Sequence, residues 1–197
     1  INLAHQIDRF INTRRIQLED QANAAAVKQT VMHPENNKGL IRDFFKSQNI
    51  VGKQYAQQLF DFKGDKIFSS NDITHDHKSF DETNIRSRFA QLYNKDKNFE
   101  INLNNNNTFW EIALPIQYGT SVEGILISFI PIHEMSSALD LNNVLDIQMK
   151  VTAHNRKSLI WGQADSSPSQ TVLVSNTGLK LSYSIDMSSL NNSFTSA

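Results

Sequence analysis

The first 32 residues contain neither proline nor glycine, and this unbroken stretch constrains the fold more than any other feature. Within it Ile7, Phe10, Ile11, Leu18, Ala22, Ala25, Ala26 and Val31 recur at spacings of three, four and seven. Those spacings put one apolar stripe on an α-helix. Asp8, Arg14, Arg15, Glu19, Asp20 and Lys28 fall on the opposite, polar face. A helix of about 30 residues spans roughly 45 Å, longer than a small domain needs for its own packing. It is expected to run along the body as a spine, or to pair with a copy of itself in a homodimer. His33 ends it, because a residue before proline, here Pro34, is driven out of the helical region.

Beyond residue 40 the period changes. Gly39 to Asn49 reads as a short amphipathic helix. Tyr55 to Ser70 reads as strand, turn and strand, with Asp61-Phe62-Lys63-Gly64-Asp65 supplying the turn chemistry. A polar loop follows from Ser69 to Asp81, then a helix from Glu82 to Tyr93 with Ile85, Phe89 and Leu92 at helical spacing. Asn98 to Leu103 is a strand and Asn104 to Asn107 a turn. Phe109 to Tyr118 and Val122 to Ile132 form the strongest hairpin signal, around Gly119-Thr120-Ser121. The tail repeats this grammar. Ile147 to Trp161 superposes on Tyr55 to Ser69 at an offset of 92, so that Gly64 meets Arg156. Ser175 to Tyr183 follows Ser121 to Phe129 at an offset of 54, so that Gly124 meets Gly178. The second copy is therefore 38 residues shorter.

Composition narrows the function. Nineteen Lys and Arg against twenty Asp and Glu leave a net charge of -1, which argues against a nucleic-acid or anionic-membrane binder. With no Cys, disulfide scaffolds, thiolate metal sites and Cys nucleophiles are excluded. No HExxH, GxSxG, Walker A or GxGxxG pattern occurs, so no catalytic role and no cofactor are expected. His75 and His77 with Asp72 and Asp76 form one dense His and acid cluster, read as a solvated loop and not as a metal site. The longest apolar run, Gly124 to Ile132, is about half of a membrane span. A start at Ile1 suggests a segment of a longer protein.

Four stretches in order resemble the Cache (PDC) family of PAS-like extracytoplasmic sensor modules. They are the long helix with IDRFINTRRIQLEDQANAAAVKQTV, then YAQQLFDFKGDKIFSS, then FWEIALPIQYGTSVEGILISFIPIHEM, and last the smaller repeat. The resemblance implies an α+β fold: a long N-terminal helix followed by two PAS-like antiparallel-sheet units, the second reduced. Its expected boundaries are 1–40 for the helix and connector, 41–136 for the membrane-distal unit and 137–197 for the membrane-proximal one. It also implies the periplasmic or extracellular part of a membrane receptor, tethered through flanking helices. The output would be a histidine kinase, a chemoreceptor or a diguanylate cyclase. The expected partner is a small molecule, a carboxylate among the candidates, held in the first unit. The alternative is a docking module for a periplasmic partner protein.

The candidate ligand residues are Arg86, Arg88, Tyr93, Trp110, Tyr118 and Ser69. In the family an Arg and aromatics near this place meet a ligand carboxylate, a task that suits the planar guanidinium fork. Read plainly, Arg86 or Arg88 would pair with Asp81 or Glu82 on an exposed helix. On the ligand reading, Arg88→Ala would abolish a carboxylate response without unfolding the protein. Trp110 would share a packed strand face with Ile112, Leu114 and Ile116. Ser69 ends a strand where a pocket rim would lie.

Overall fold

The computed structural model describes residues 3–70, 98–141, 147–162, 170–173 and 176–185, together with Ile85, Ser87, Arg88 and Leu92. The chain divides into two compact units, one of residues 13–130 and one of residues 1–12 with 131–197.

The leading stretch is helical but not one helix. α1 runs Leu3–Asn23 and α2 runs Ala25–Met32. Ala24 between them is extended, with φ -61° and ψ 141°. The break shifts the phase of the stripe. Ile7, Phe10, Ile11, Leu18, Ala22 and Val31 are buried as the spacing requires, but Ala25 is exposed and Val27 and Thr30, outside the expected stripe, turn inward. No proline or glycine marks this site; packing of α2 on β1 and β4 decides it. Two residues assigned to the polar face, Asp8 and Arg14, are in fact buried. After α2 a 3-10 turn, Pro34–Asn36, leads into α3, Lys38–Ser47.

In the unit 13–130 the strands are β1 (Ala56–Asp61), β2 (Lys66–Ser69), β3 (Glu100–Leu103), β4 (Phe109–Tyr118) and β5 (Ser121–Pro131). They form one sheet in the order β2-β1-β5-β4-β3. β1 lies antiparallel to β5 with Leu59 opposite Leu126, and β3 antiparallel to β4 with Ile101 opposite Ile112. Side chains alternate across the pleat. One face gathers Phe60, Ala113, Ile125, Ile127 and Phe129, covered by the helical residues Ile85 and Leu92. The other face meets α2. There Gly124 is a packing requirement: a Cβ would stand 2.6 Å from the Phe60 carbonyl oxygen and 2.9 Å from a Val31 methyl.

The second unit holds α4 (Ile132–Ala138), β6 (Ile147–Thr152), β7 (Ser158–Trp161), β8 (Gln170–Leu173) and β9 (Lys180–Ile185). Its sheet order is β7-β6-β9-β8, the order of β2-β1-β5-β4 again. Among the described residues nothing corresponds to β3. The fold is thus α+β, with a five-stranded and a smaller four-stranded antiparallel sheet. β8 was not legible as a strand in the sequence.

The internal repeat is accurate at its turns. In the first hairpin the Asp61 N–H donates to the Asp65 carbonyl at 3.0 Å and the Gly64 N–H to the Asp61 carbonyl at 3.0 Å. In the second, the Ala153 N–H donates to the Lys157 carbonyl at 2.9 Å and the Arg156 N–H to the Ala153 carbonyl at 3.0 Å. Gly64 (φ 86°) and Arg156 (φ 66°) share the left-handed conformation at the offset of 92. The second offset is one residue off. Leu59 pairs with Leu126 and its counterpart Val151 with Leu181, an offset of 55. Gly124 and Gly178 are therefore not equivalent. Gly124 makes room inside a strand, whereas Gly178 sits in a turn with φ 69°.

Candidate functional site

Three features of the unit 13–130 build the site: an edge strand, a short helix, and the segment that precedes β1. α3 carries Ile41 and Phe45 on its buried side, and the Phe45 ring stacks on Phe68 of β2 at 4.9 Å between centroids. That stack anchors α3 to the sheet edge and leaves a cavity of about 690 Å3 beside it. Ile41, Phe45, Ile67 and Phe68 make its apolar wall. Gln54, Tyr55, Gln57, Ser69 and Ser70 give it a polar floor and rim, and Lys38, Arg42 and Lys46 line the helix side. Ser70 is tied to β1: the Gln57 N–H donates to Ser70 Oγ at 3.0 Å and the Ser70 N–H to the Gln57 carbonyl at 3.0 Å. Gln54 Nε2 donates to the Lys46 carbonyl at 2.8 Å and so closes the end of α3 over the cavity.

The floor is bonded to α1. Arg14 Nε donates to the Tyr55 hydroxyl at 3.3 Å, and Gln57 Nε2 donates to Gln21 Oε1 at 2.7 Å. Between them on the helix, Gln17 Oε1 accepts the Val51 N–H at 2.6 Å. Residues 14, 17 and 21 lie on one face over two turns, with buried Leu18 among them. Tyr55, Gln57, Arg14 and Gln21 are all buried, so each polar group removed from water here has a partner. Val51 holds φ 51°, a conformation that a β-branched residue adopts only under constraint. The α1 polar stripe thus grips the segment leading to the cavity floor at three points.

A second polar cluster lies on the sheet face carrying Phe60 and Ala113. Arg88 Nη2 donates to Glu111 Oε2 at 2.9 Å, and its Nε stands 3.6 Å from Glu100 Oε2. Asn102 Nδ2 donates to the same Glu100 oxygen at 3.4 Å. Arg88, Glu100 and Glu111 are all buried. Arg88 therefore does not pair on an exposed helix. Its guanidinium holds a helical turn to β3 and β4, and a ligand carboxylate would compete there with two from the protein. Arg88→Ala is therefore expected to cost fold stability as well, where the sequence reading expects the fold to stay intact.

The structure separates most of the residues singled out in the sequence. Ser69 lines the cavity. Trp110 is fully buried, and its indole Nε1 has no partner among the described residues. Trp110 and Glu111 are consecutive on β4 and so face opposite ways, which sets Trp110 apart from Arg88. Tyr118 is 61% exposed and is not a lining residue of the cavity. Arg86 and Tyr93 lie outside the described residues, as do His75, His77, Asp72 and Asp76. Among the described residues no group of three His, Cys, Asp or Glu could hold a metal ion, and no helix is long and apolar enough to cross a membrane. Tyr55, Gln57 and the α3 cations were missed; the i, i+4, i+8 spacing of Lys38, Arg42 and Lys46 was the available signal.

No family model matches the chain and no curated protein matches it in sequence. Solved structures do match in fold. The ligand-binding domain of Mlp24 with asparagine superposes at a TM-score of 0.62 with 11% identity, covering 98% of this chain and 92% of that one. The ligand-binding domain of the Pseudomonas fluorescens chemoreceptor CtaA, in complex with L-isoleucine, gives 0.59 and 13%, covering 96% and 90%. The sensor domain of the V. cholerae histidine kinase DctB gives 0.53 and 13%, covering 92% and 94%. These similarities span both units of the chain. The fold is that of the Cache-type, PAS-like sensor domains found in chemoreceptors and histidine kinases.

Proposed function

We propose that this chain is the extracytoplasmic sensing module of a membrane receptor, periplasmic or extracellular in placement, tethered through helices beyond its ends and without catalytic activity of its own. A small molecule binds in the unit 13–130, and its occupancy is passed to α1. The observation that carries this reading is the cavity between α3 and β2, whose floor is hydrogen-bonded to α1 through Arg14–Tyr55 and Gln21–Gln57. A volume near 690 Å3 with converging polar groups suits a small-molecule site. A ligand that reorients Tyr55 or Gln57 alters bonds made directly by the helix, so it favours one helix position over another. Its effect is limited to its preference for that state, commonly 1–3 kcal/mol.

The test is a thermal-shift screen of the chain with organic acids, amino acids, amines and neutral metabolites. A compound present at about 100 times its dissociation constant adds about 2.7 kcal/mol of stability. Ser69→Trp, which fills the rim, is expected to abolish that response while leaving the ligand-free melting temperature in place. A screen with no stabilising compound, or a Ser69→Trp variant that responds like the parent, overturns the proposal.

A further inference from the structure

Resting on that reading, we propose that the occupant of the cavity is a small polyanion, a molecule carrying at least two carboxylate or phosphate groups. Lys38, Arg42 and Lys46 stand at i, i+4 and i+8 of α3, so they form one row over about 12 Å of helix. All three line the cavity, and among the described residues no other lining residue is charged. Asp43, the acidic residue of α3, is not among the lining residues.

Two features make this row unfavourable for α3 by itself. Like charges four residues apart repel on a helix surface. Lys38 also occupies the first turn, where the helix dipole disfavours a cation and where α3 has no acidic residue. Glu35 meets Lys38 at 2.9 Å, but both partners are well exposed, at 61% and 83%, and water screens such a pair. An anion seated between neighbouring cations removes both penalties. Cations one turn apart are separated by about 6 Å along the helix, which matches two acidic groups on one small molecule better than a single one. Across the cavity the hydroxyls of Ser69 and Ser70 supply further donors to the same groups. The Phe45 and Phe68 stack bounds the space on its apolar side and restricts the ligand to a compact one.

The test is isothermal titration of the chain at physiological salt with citrate and with inorganic pyrophosphate, against acetate and against neutral and cationic compounds. Saturable one-site binding of citrate alone assigns carboxylate groups, and of pyrophosphate alone phosphate groups; binding of both supports the shared chemistry. The double variant Arg42→Gln, Lys46→Gln is expected to weaken that binding by about tenfold or more, a change of about 1.4 kcal/mol. Lys150→Gln with Lys180→Gln removes the same charge from exposed positions of the other unit and is expected to leave affinity unchanged. Equal weakening by the two double variants overturns the proposal, because the attraction is then diffuse. A neutral or cationic compound that binds and is blocked by Ser69→Trp, with no polyanion binding, overturns the polyanion assignment alone. No binding by any class overturns the sensing reading with it.

Discussion

At the scale of single residues, buried polar groups with several partners dominate. Asp8 on α1 accepts the Asn176 and Thr177 N–H groups, each at 3.2 Å, and the Asn176 side-chain amide as well. One carboxylate therefore clamps a turn more than 160 positions away in the sequence. Asp8→Ala leaves those donors without a partner and is expected to cost about 2–3 kcal/mol, read as a lower urea midpoint. Arg88 carries a larger load. Without it Glu111 and Glu100 are buried with no facing cation among the described residues, so Arg88→Ala is expected to destabilise by about 3–5 kcal/mol, with Glu111→Gln in the same chain recovering part of the loss. At Arg156 the expected change is opposite. Its left-handed φ of 66° strains an L side chain in a turn where the first hairpin places Gly64. Arg156→Gly should raise stability by about 0.5–1 kcal/mol, seen as a higher melting temperature.

At the scale of elements, the helix break at Ala24 and the glycine in β5 belong together. α2 packs closely on the sheet only because Gly124 presents no side chain to Val31 and to the Phe60 carbonyl. Gly124→Ala puts a methyl where the backbone cannot retreat. It is expected to lower stability by about 2–3 kcal/mol, with Val31→Ala in the same chain relieving only the side-chain part of the clash. The strands themselves were largely legible. β4 spans the residues that its apolar run marked, and β1, β2, β6 and β7 follow their alternation and turn residues. The helix stripe was legible up to Ala22 and again at Val31, but not at Ala25, Val27 and Thr30, because a break set by packing leaves no local signature. β8 was missed for a related reason: it is four residues long, and its place in the sheet comes from pairing with β9.

At the scale of the whole molecule, the unit 13–130 connects its cavity to its long helix through side chains that no single-element pattern reveals. Arg14 reads in sequence as part of an ordinary polar face, and Gln17 and Gln21 carry no pattern signal at all. In the fold they hold Tyr55, Val51 and Gln57. Their replacement separates binding from response. Arg14→Leu with Gln21→Leu is expected to keep ligand affinity within about threefold, a difference under 1 kcal/mol. The ligand-induced change in amide hydrogen exchange along α1 should disappear. A variant chain that still shows that change carries its signal by another route. Of the candidate site, Ser69 was readable because it ends a strand. The Arg88 partners were not, since Glu100 and Glu111 reach it only through the pairing of β3 with β4.

By itself the sequence determined the order of most elements, the two-sheet repeat and the correspondence of the Gly64 and Arg156 turns, because periodicity and turn chemistry act over a few neighbouring residues. Tertiary structure decided where the helix breaks, which polar side chains leave water, and where the cavity lies. Each of those depends on residues far apart in the chain meeting at a short distance, where a buried charge must find a partner and a missing Cβ lets two elements touch.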